Sequence, residues 1–253
     1  METFSLQDHT ALVTGSSQGI GLAIAQGIHD AGARVIYHGK EDPAPEMPEG
    51  SDWLVEDLLD PAGPERLIKA AFAAQPELDL LVCNAGGFFD VPFLEVEPEV
   101  WDRTMNLNVK ANYFVAQAFA RELAERGRTG SIVLTCSTNG FQSEDDTTAY
   151  DTSKGALVMM TRTLAQALAP QSIRVNAIAP GLIRTTLNAS MRTDEIEAHY
   201  NKKILLGRLG ESEDCAGGRR IFIIRSSEIH HRPDLGGRRW IDGGTNRQNV
   251  TLP

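Results

Sequence analysis

The 253 residues are 42% hydrophobic and 23% charged, ordinary usage for one large α/β domain and unlike a disordered, collagen-like or coiled-coil chain. With 34 acidic and 24 basic residues the formal charge is −10, which excludes a global electrostatic grip on nucleic acid or anionic lipid. Three scattered cysteines make no disulfide framework, no run of about 18 apolar residues offers a membrane span, and METFSLQDHT lacks a charged-then-apolar leader pattern, so a soluble, cytoplasmic single domain over 1–253 is expected.

The first candidate strand, Ala11–Thr14, runs into TGSSQGIG and then a helical LAIAQGIHDAG. Glycines at 15, 19 and 21 allow a tight turn and a close approach of pyrophosphate to the backbone, and the helix N-terminus adds N–H groups and positive dipole. A glycine-rich turn alone is weak, but this one ends a strand and opens a helix, as a dinucleotide fold requires. The second strand, Arg34–His38, should end at the adenosine ribose. Gly39 stands there where an acid would accept the ribose hydroxyls, and Lys40 follows, a pattern that favours NADP over NAD unless Lys40 is simply a solvated surface residue.

Residues 41–52 hold three prolines, so the next crossover should be a loop without a long helix. Further strands are read at Trp53–Glu56, Leu78–Cys83, Ser131–Cys136 and Ile173–Ile178. None alternates cleanly between polar and apolar, as expected of strands covered on both faces. The clearest helix is Tyr150–Ala169, where Leu157, Met160, Leu164 and Leu168 share one face. Alternating strands and helices predict right-handed crossovers and a doubly wound parallel sheet.

Tyr150 and Lys154 lie one turn apart on that helix. A phenol near pKa 10 is a poor base at neutral pH, but an adjacent ammonium and a cationic nicotinamide both favour phenolate. The pair alone is also compatible with an ordinary helix contact. Taken together, however, TGSSQGIG at 14–21, Asp57-Leu58, NAG at 84–86, Asn108 in NLNVKANYF, Ser137, YDTSK at 150–154 and PGLIRT at 180–185 resemble, in order, the motifs of the short-chain dehydrogenase/reductase family in its classical branch.

That resemblance implies a Rossmann-like domain that interconverts a secondary alcohol and a ketone with NADP, or NAD. A non-catalytic nucleotide sensor or scaffold of the same fold is the alternative. Tyr150 would exchange the proton, Ser137 hold the substrate oxygen, Lys154 bind the nicotinamide ribose, and Asn108 hold a water linking Lys154 to a relay. Gly15, Ser17, Gln18, Ile20 and Gly21 would line the cofactor loop, with Lys40, Asp57 and Leu58 at the adenosine and Asn84, Ala85 and Gly86 behind it. Pro180, Gly181, Ile183 and Thr185 would cup the nicotinamide. The three-residue gap between Tyr150 and Lys154 argues against the enoyl-reductase branch. The substrate stays open among sugars or polyols, 3-oxoacyl thioesters and steroid-like ketones. Asn139 and Gln142 could hydrogen-bond a polyol, though loop solvation would explain them equally. Residues 186–210 should form the substrate lid. The six histidines suggest no metal site, and Cys83 and Cys136 read as buried structural thiols.

After EDCAG the chain departs from the family. Residues 217–240 carry six arginines against Glu228 and Asp234, a net of +4, where an apolar helix and a buried last strand are expected. One shifted base accounts for this: His231–Gly236 can be encoded so that the next frame reads Ile-Thr-Gly-Gln-Ile-Leu, and Gly237–Ile241 so that it reads Val-Asp-Gly-Gly-Ser. A basic adapter or a naturally divergent tail would account for it otherwise. Relatives usually form dimers or tetramers through their last helices and strand, so this tail should weaken assembly.

Overall fold

Short apolar runs rich in Val, Ile and Leu form a parallel sheet in the computed structural model, which describes residues 5–42, 44–191, 193–216 and 242–243. The strands are β1 (Thr10–Val13), β2 (Arg34–Gly39), β3 (Asp52–Val55), β4 (Leu80–Cys83), β5 (Gly130–Thr135), β6 (Ile173–Pro180) and the two-residue β7 (Asp242–Gly243). They lie in the order β3-β2-β1-β4-β5-β6-β7. The helices are α1 (Gly19–Asp30), α2 (Gly63–Ala74), α3 (Pro98–Met105), α4 (Asn112–Glu125), α5 (Thr148–Leu168) and α6 (Asp194–Lys203).

Successive strand residues point to opposite faces, and both faces are covered. Leu12, Ile36, Leu81, Ile132 and Val175 pack into one cluster with α2, α4 and α5, including Phe72, Phe119 and Leu157. Ala11, Val13, Val35, Tyr37 and Val82 pack on the other side with Ile24 and Ile28 of α1. This two-sided burial is why no polar/apolar alternation is visible in the strands. Cys83 and Cys136 are buried in the first cluster, which raises their thiols to about 12 and about 11.

The expected elements are present with shifted ends. Among the described residues no helix joins β2 to β3, in keeping with the three prolines. α5 starts at Thr148, two residues before the expected Tyr150, because the Asp90 carboxylate accepts the Tyr150 N–H at 2.9 Å and caps the helix from another part of the chain. Between α3 and α4, Asn106–Ala111 form a widened π-type turn. There the Asn112 side chain donates to the Asn108 carbonyl at 2.8 Å, satisfying it from one turn along.

Strand order reverses direction between β1 and β4, opening a crevice at their C-terminal ends where an open α/β sheet binds its ligands. The tail at 217–241 lies outside the described residues, and with it the shifted-frame reading. Asp242 and Gly243, which that reading makes fortuitous, pair in parallel with Ala179 and Pro180.

Candidate active site

The glycine-rich turn is folded against the loop that follows β4. Thr14 Oγ1 accepts the N–H groups of Asn84 and Ala85 at 3.0 and 3.1 Å, and Asn84 Nδ2 donates to the Thr14 and Gly15 carbonyls at 3.2 and 3.1 Å. Gly15 has φ +63°, and a Cβ there would lie 2.8 Å from the Ala85 Cα. A Cβ on Gly21 would lie 2.1 Å from the Gly15 carbonyl oxygen. The turn, containing Ser17, Gln18 and Ile20, leads into α1, whose N-cap makes no side-chain hydrogen bond and whose first turn has no acidic residue. Its N–H groups thus face the crevice mouth with their dipole uncompensated, and a pyrophosphate fits this cradle.

Past the ends of β2 and β3 Lys40 pairs with Asp57 at 3.3 Å, and Asp57 also accepts the Leu59 N–H at 2.9 Å. Leu58, beside it, is buried in the core with Ile36 and Leu67. Gly39 lies under the Trp53 indole, close enough that a Cβ would fall 2.3 Å from Cη2.

The polar residues meet at the ends of β5 and α5. Ser137 follows β5, is 8% exposed, and its Oγ accepts the Asn139 N–H at 3.1 Å, leaving its proton to donate elsewhere. Lys154 is 7% exposed; its Nζ donates to the Thr135 carbonyl at 3.1 Å and lies 5.3 Å from the Tyr150 ring centroid. The Tyr150 ring packs edge-on against Phe88, centroids 5.3 Å apart. Asn108 is fully buried. Its amide accepts the Gly87 N–H at 2.8 Å and donates to the Gly87 carbonyl and to Ser153 Oγ at 2.9 and 3.1 Å. Ser153 Oγ in turn donates to the Tyr150 carbonyl at 2.7 Å. The post-β4 loop and the Tyr150 helix are thereby tied through one asparagine, and Gly86 abuts it, a Cβ there falling 3.1 Å from Asn108 Oδ1.

The third wall comes from β6. Past Pro180 and Gly181, Ile183 is buried and bridges to Gly210. Thr185 faces the glycine turn, its Cγ2 3.5 Å from where a Gly19 Cβ would be. Asn188 holds this wall in shape, accepting from the Thr185 N–H at 3.1 Å and donating to the Ile183 carbonyl at 2.8 Å. Arg184 pairs with Glu197 of α6 at 2.6 Å and with Glu211 at 3.1 Å, so one guanidinium just before the 186–210 segment holds both its middle and the residue that follows it. Beneath α6 a cleft of about 610 Å³ is lined by residues including Leu182, Asn188, Ile196, His199, Tyr200 and Leu209. Tyr200 reaches across and donates to Glu144 at 3.2 Å. Asn139 is held to Asp151 at 2.7 Å, whereas Gln142 is exposed.

Sequence reasoning missed Thr14, Asp90, Ser153, Asn188 and His38. Their signal was slight: single polar residues in apolar runs or loops, or, for Thr14 and Ser153, small polar residues inside a motif with no role assigned to them. His38 is 3% exposed within β2, and burial lowers its imidazole to about 4. The folded protein therefore resists a proton that the unfolded chain takes up near pH 6.5. Stability from this group is full above about pH 6.5 and is lost as pH falls toward 4, about 2 kcal/mol between pH 7.5 and pH 5. Denaturant unfolding at the two pH values should show this loss in the wild type and not in His38→Asn.

Comparison with known proteins agrees with this geometry. The family model for the short chain dehydrogenase matches residues 9–196. The human protein "Dehydrogenase/reductase SDR family member 4" is 38% identical over 223 residues, covering 84% of this chain and 80% of its own. The 2-dehydro-3-deoxy-D-gluconate 5-dehydrogenase of Dickeya dadantii is 33% identical over 234 residues, covering 90% of this chain and 92% of its own. A gluconate 5-dehydrogenase from Burkholderia cenocepacia, solved in complex with NADP and tartrate, superposes with a TM-score of 0.85 at 28% identity, covering 96% of this chain and 97% of that one. The chain belongs to the short-chain dehydrogenase/reductase family, whose members are NAD(P)-dependent oxidoreductases.

Proposed function

We propose that the enzyme interconverts a secondary alcohol and a ketone on an uncharged sugar or polyol, with NADP(H) as its cofactor and Asn108, Ser137, Tyr150 and Lys154 as its working residues. The observation that carries this is the placement of a buried ammonium 5.3 Å from the Tyr150 ring and bonded to the Thr135 carbonyl, two residues before a serine hydroxyl with its proton to spare. Bound nicotinamide supplies or accepts the hydride. In reduction, Ser137 Oγ donates to the substrate oxygen and Tyr150 delivers the proton to it; in oxidation the same proton returns to Tyr150. The Lys154 charge stabilises the phenolate left behind, and its remaining N–H groups would hold the nicotinamide ribose. Asn108 fixes the loop and helix on which these groups stand, and a water on its backbone would extend a relay from Lys154.

The glycine turn would hold the pyrophosphate through Gly15, Ser17, Gln18, Ile20 and Gly21, with Asn84, Ala85 and Gly86 closing it from below. Pro180, Gly181, Ile183 and Thr185 would flank the nicotinamide. Lys40 offers its charge to a 2′-phosphate, after leaving Asp57, and Gly39 presents no carboxylate to repel it. The Dickeya and Burkholderia relatives are named for work on sugar acids. Here Glu144 stands in the loop that meets Tyr200 of α6, and Asp151 in the first turn of α5 binds that loop, which favours a neutral polyol over an aldonate. Among the described residues no helix is long and apolar enough to cross a membrane.

The test is a panel of aldoses, polyols, aldonates and 3-oxoacyl thioesters assayed with both cofactors. The expected result is turnover of neutral polyols with NADP preferred, and a preference that drops about tenfold in Lys40→Ala because one charge-assisted contact is lost. Turnover confined to aldonates would refute the substrate class. An unchanged cofactor preference in Lys40→Ala would remove Lys40 from the site.

A further inference from the structure

The His38 imidazole touches two other segments of the cofactor half. Its Nδ1 lies 3.1 Å from the Gly15 nitrogen, and its Nε2 lies 3.1 Å from the Glu56 carbonyl oxygen beyond β3. These contacts dictate the tautomer. Gly15 brings an N–H, so Nδ1 must accept; Glu56 brings a carbonyl, so Nε2 must carry the proton. The backbone repeats the attachment: the His38 N–H donates to Ser16 Oγ at 2.9 Å, and the Ser16 N–H donates to the His38 carbonyl at 2.9 Å. Gly15 is therefore held from both sides, its N–H by His38 and its carbonyl by Asn84.

We propose that His38 is a positioning residue for the cofactor: as an uncharged imidazole it fixes the Gly15 peptide, and through it the shape in which the glycine-rich turn receives the phosphates. The inference rests on the reading of that turn as the cofactor site. A protonated ring would face the Gly15 N–H with a second N–H, so the role belongs to the neutral form alone. Burial preserves that form, outweighing the Glu56 carbonyl bond and the Glu56 charge, which both favour the protonated ring. The Glu56 carboxylate is taken by Arg66 at 2.6 and 2.9 Å, and Asp57 is paired with Lys40. No other uncharged side chain offers an acceptor and a donor at this separation across one rigid ring. Asparagine can keep the acceptor toward Gly15, while leucine fills the space and offers neither.

NADPH fluorescence titrations of the wild type, His38→Asn and His38→Leu, without substrate, test this, together with kcat at saturating NADPH and a thermal melt of each. Leaving the Gly15 N–H without its acceptor should raise the NADPH Kd of His38→Leu about 10- to 100-fold. Its kcat at saturation should stay within about threefold of wild type, and His38→Asn should bind within about fivefold, because the reacting groups are untouched and the acceptor is restored. A His38→Leu protein that binds NADPH like the wild type overturns the proposal. So does a folded His38→Asn as weak as His38→Leu, which would make ring bulk the cause. Should His38→Leu fail to fold, the His38→Asn affinity decides by the same criterion. Nitrogen-15 shifts placing the His38 proton on Nδ1 also overturn it. A wild type that does not bind NADPH at all overturns the cofactor reading and this inference with it, an outcome distinct from every one above.

Discussion

Tyr150→Phe is expected to lower kcat by about 10²- to 10⁴-fold, the range a positioned proton donor contributes, and to leave the NADPH Kd within about threefold of wild type. The structure separates these two quantities. Among the described residues the Tyr150 hydroxyl has no hydrogen-bond partner, and its ring is held by the edge-on contact with Phe88 and by the Asp90 cap on its backbone. Phenylalanine keeps both, so the helix, Lys154 and the cofactor cradle should be undisturbed. What is lost is the hydroxyl proposed to hand a proton to an oxygen held by Ser137. Single-turnover hydride transfer followed by NADPH absorbance, beside an equilibrium titration, measures both numbers. A variant with wild-type turnover would end the assignment of Tyr150 as proton donor and revive the nucleotide-sensing alternative. A variant that loses NADPH binding would instead show that the hydroxyl belongs to the cofactor site.

The parts of this site that could be read in the sequence are those whose chemistry is compressed into a short stretch. Gly15, Gly19 and Gly21 are legible because a turn that tight excludes side chains, and Tyr150 with Lys154 because a helix puts fourth neighbours on one face. The groups that hold these in place were not legible, since each acts across the chain. Asp90 caps a helix 60 residues away, and Asn108 joins Gly87 to Ser153. His38 looked like one more strand residue because its partners, Gly15 and Glu56, become neighbours only when β1, β2 and β3 pair. Lys40 shows the opposite limit. Its position was marked from the missing acid at Gly39, but its pairing with Asp57, beyond β3, could be seen only in the folded chain. The tail could be recognised as foreign to a covered strand by charge alone, yet the placement of Asp242-Gly243 beside β6 could not.

The second large effect is expected at Gly21, where alanine should weaken NADPH binding by about 100-fold, the scale on which an ångström of misplacement acts in such sites. A Cβ there would stand 2.1 Å from the Gly15 carbonyl oxygen and 2.5 Å from Asn84 Nδ2, two groups already bonded to each other. Neither is the free end of a flexible side chain. Relief requires α1 to move off the sheet or the peptide between Gly15 and Ser16 to rotate, and rotation breaks both the Asn84 bond to the Gly15 carbonyl and the Ser16 N–H bond to the His38 carbonyl. Overpacking of this kind also costs stability, about 1–3 kcal/mol, so the melting temperature should fall along with affinity. Gly155 supplies the comparison: it lies in α5 with nothing within 4 Å of a built Cβ, so alanine there should add about 0.5–1 kcal/mol through helix propensity and leave NADPH binding as it was. If Gly21→Ala bound NADPH as tightly as Gly155→Ala, the close packing of the turn on α1 would have no bearing on the cofactor, and the pyrophosphate would have to sit elsewhere in the crevice.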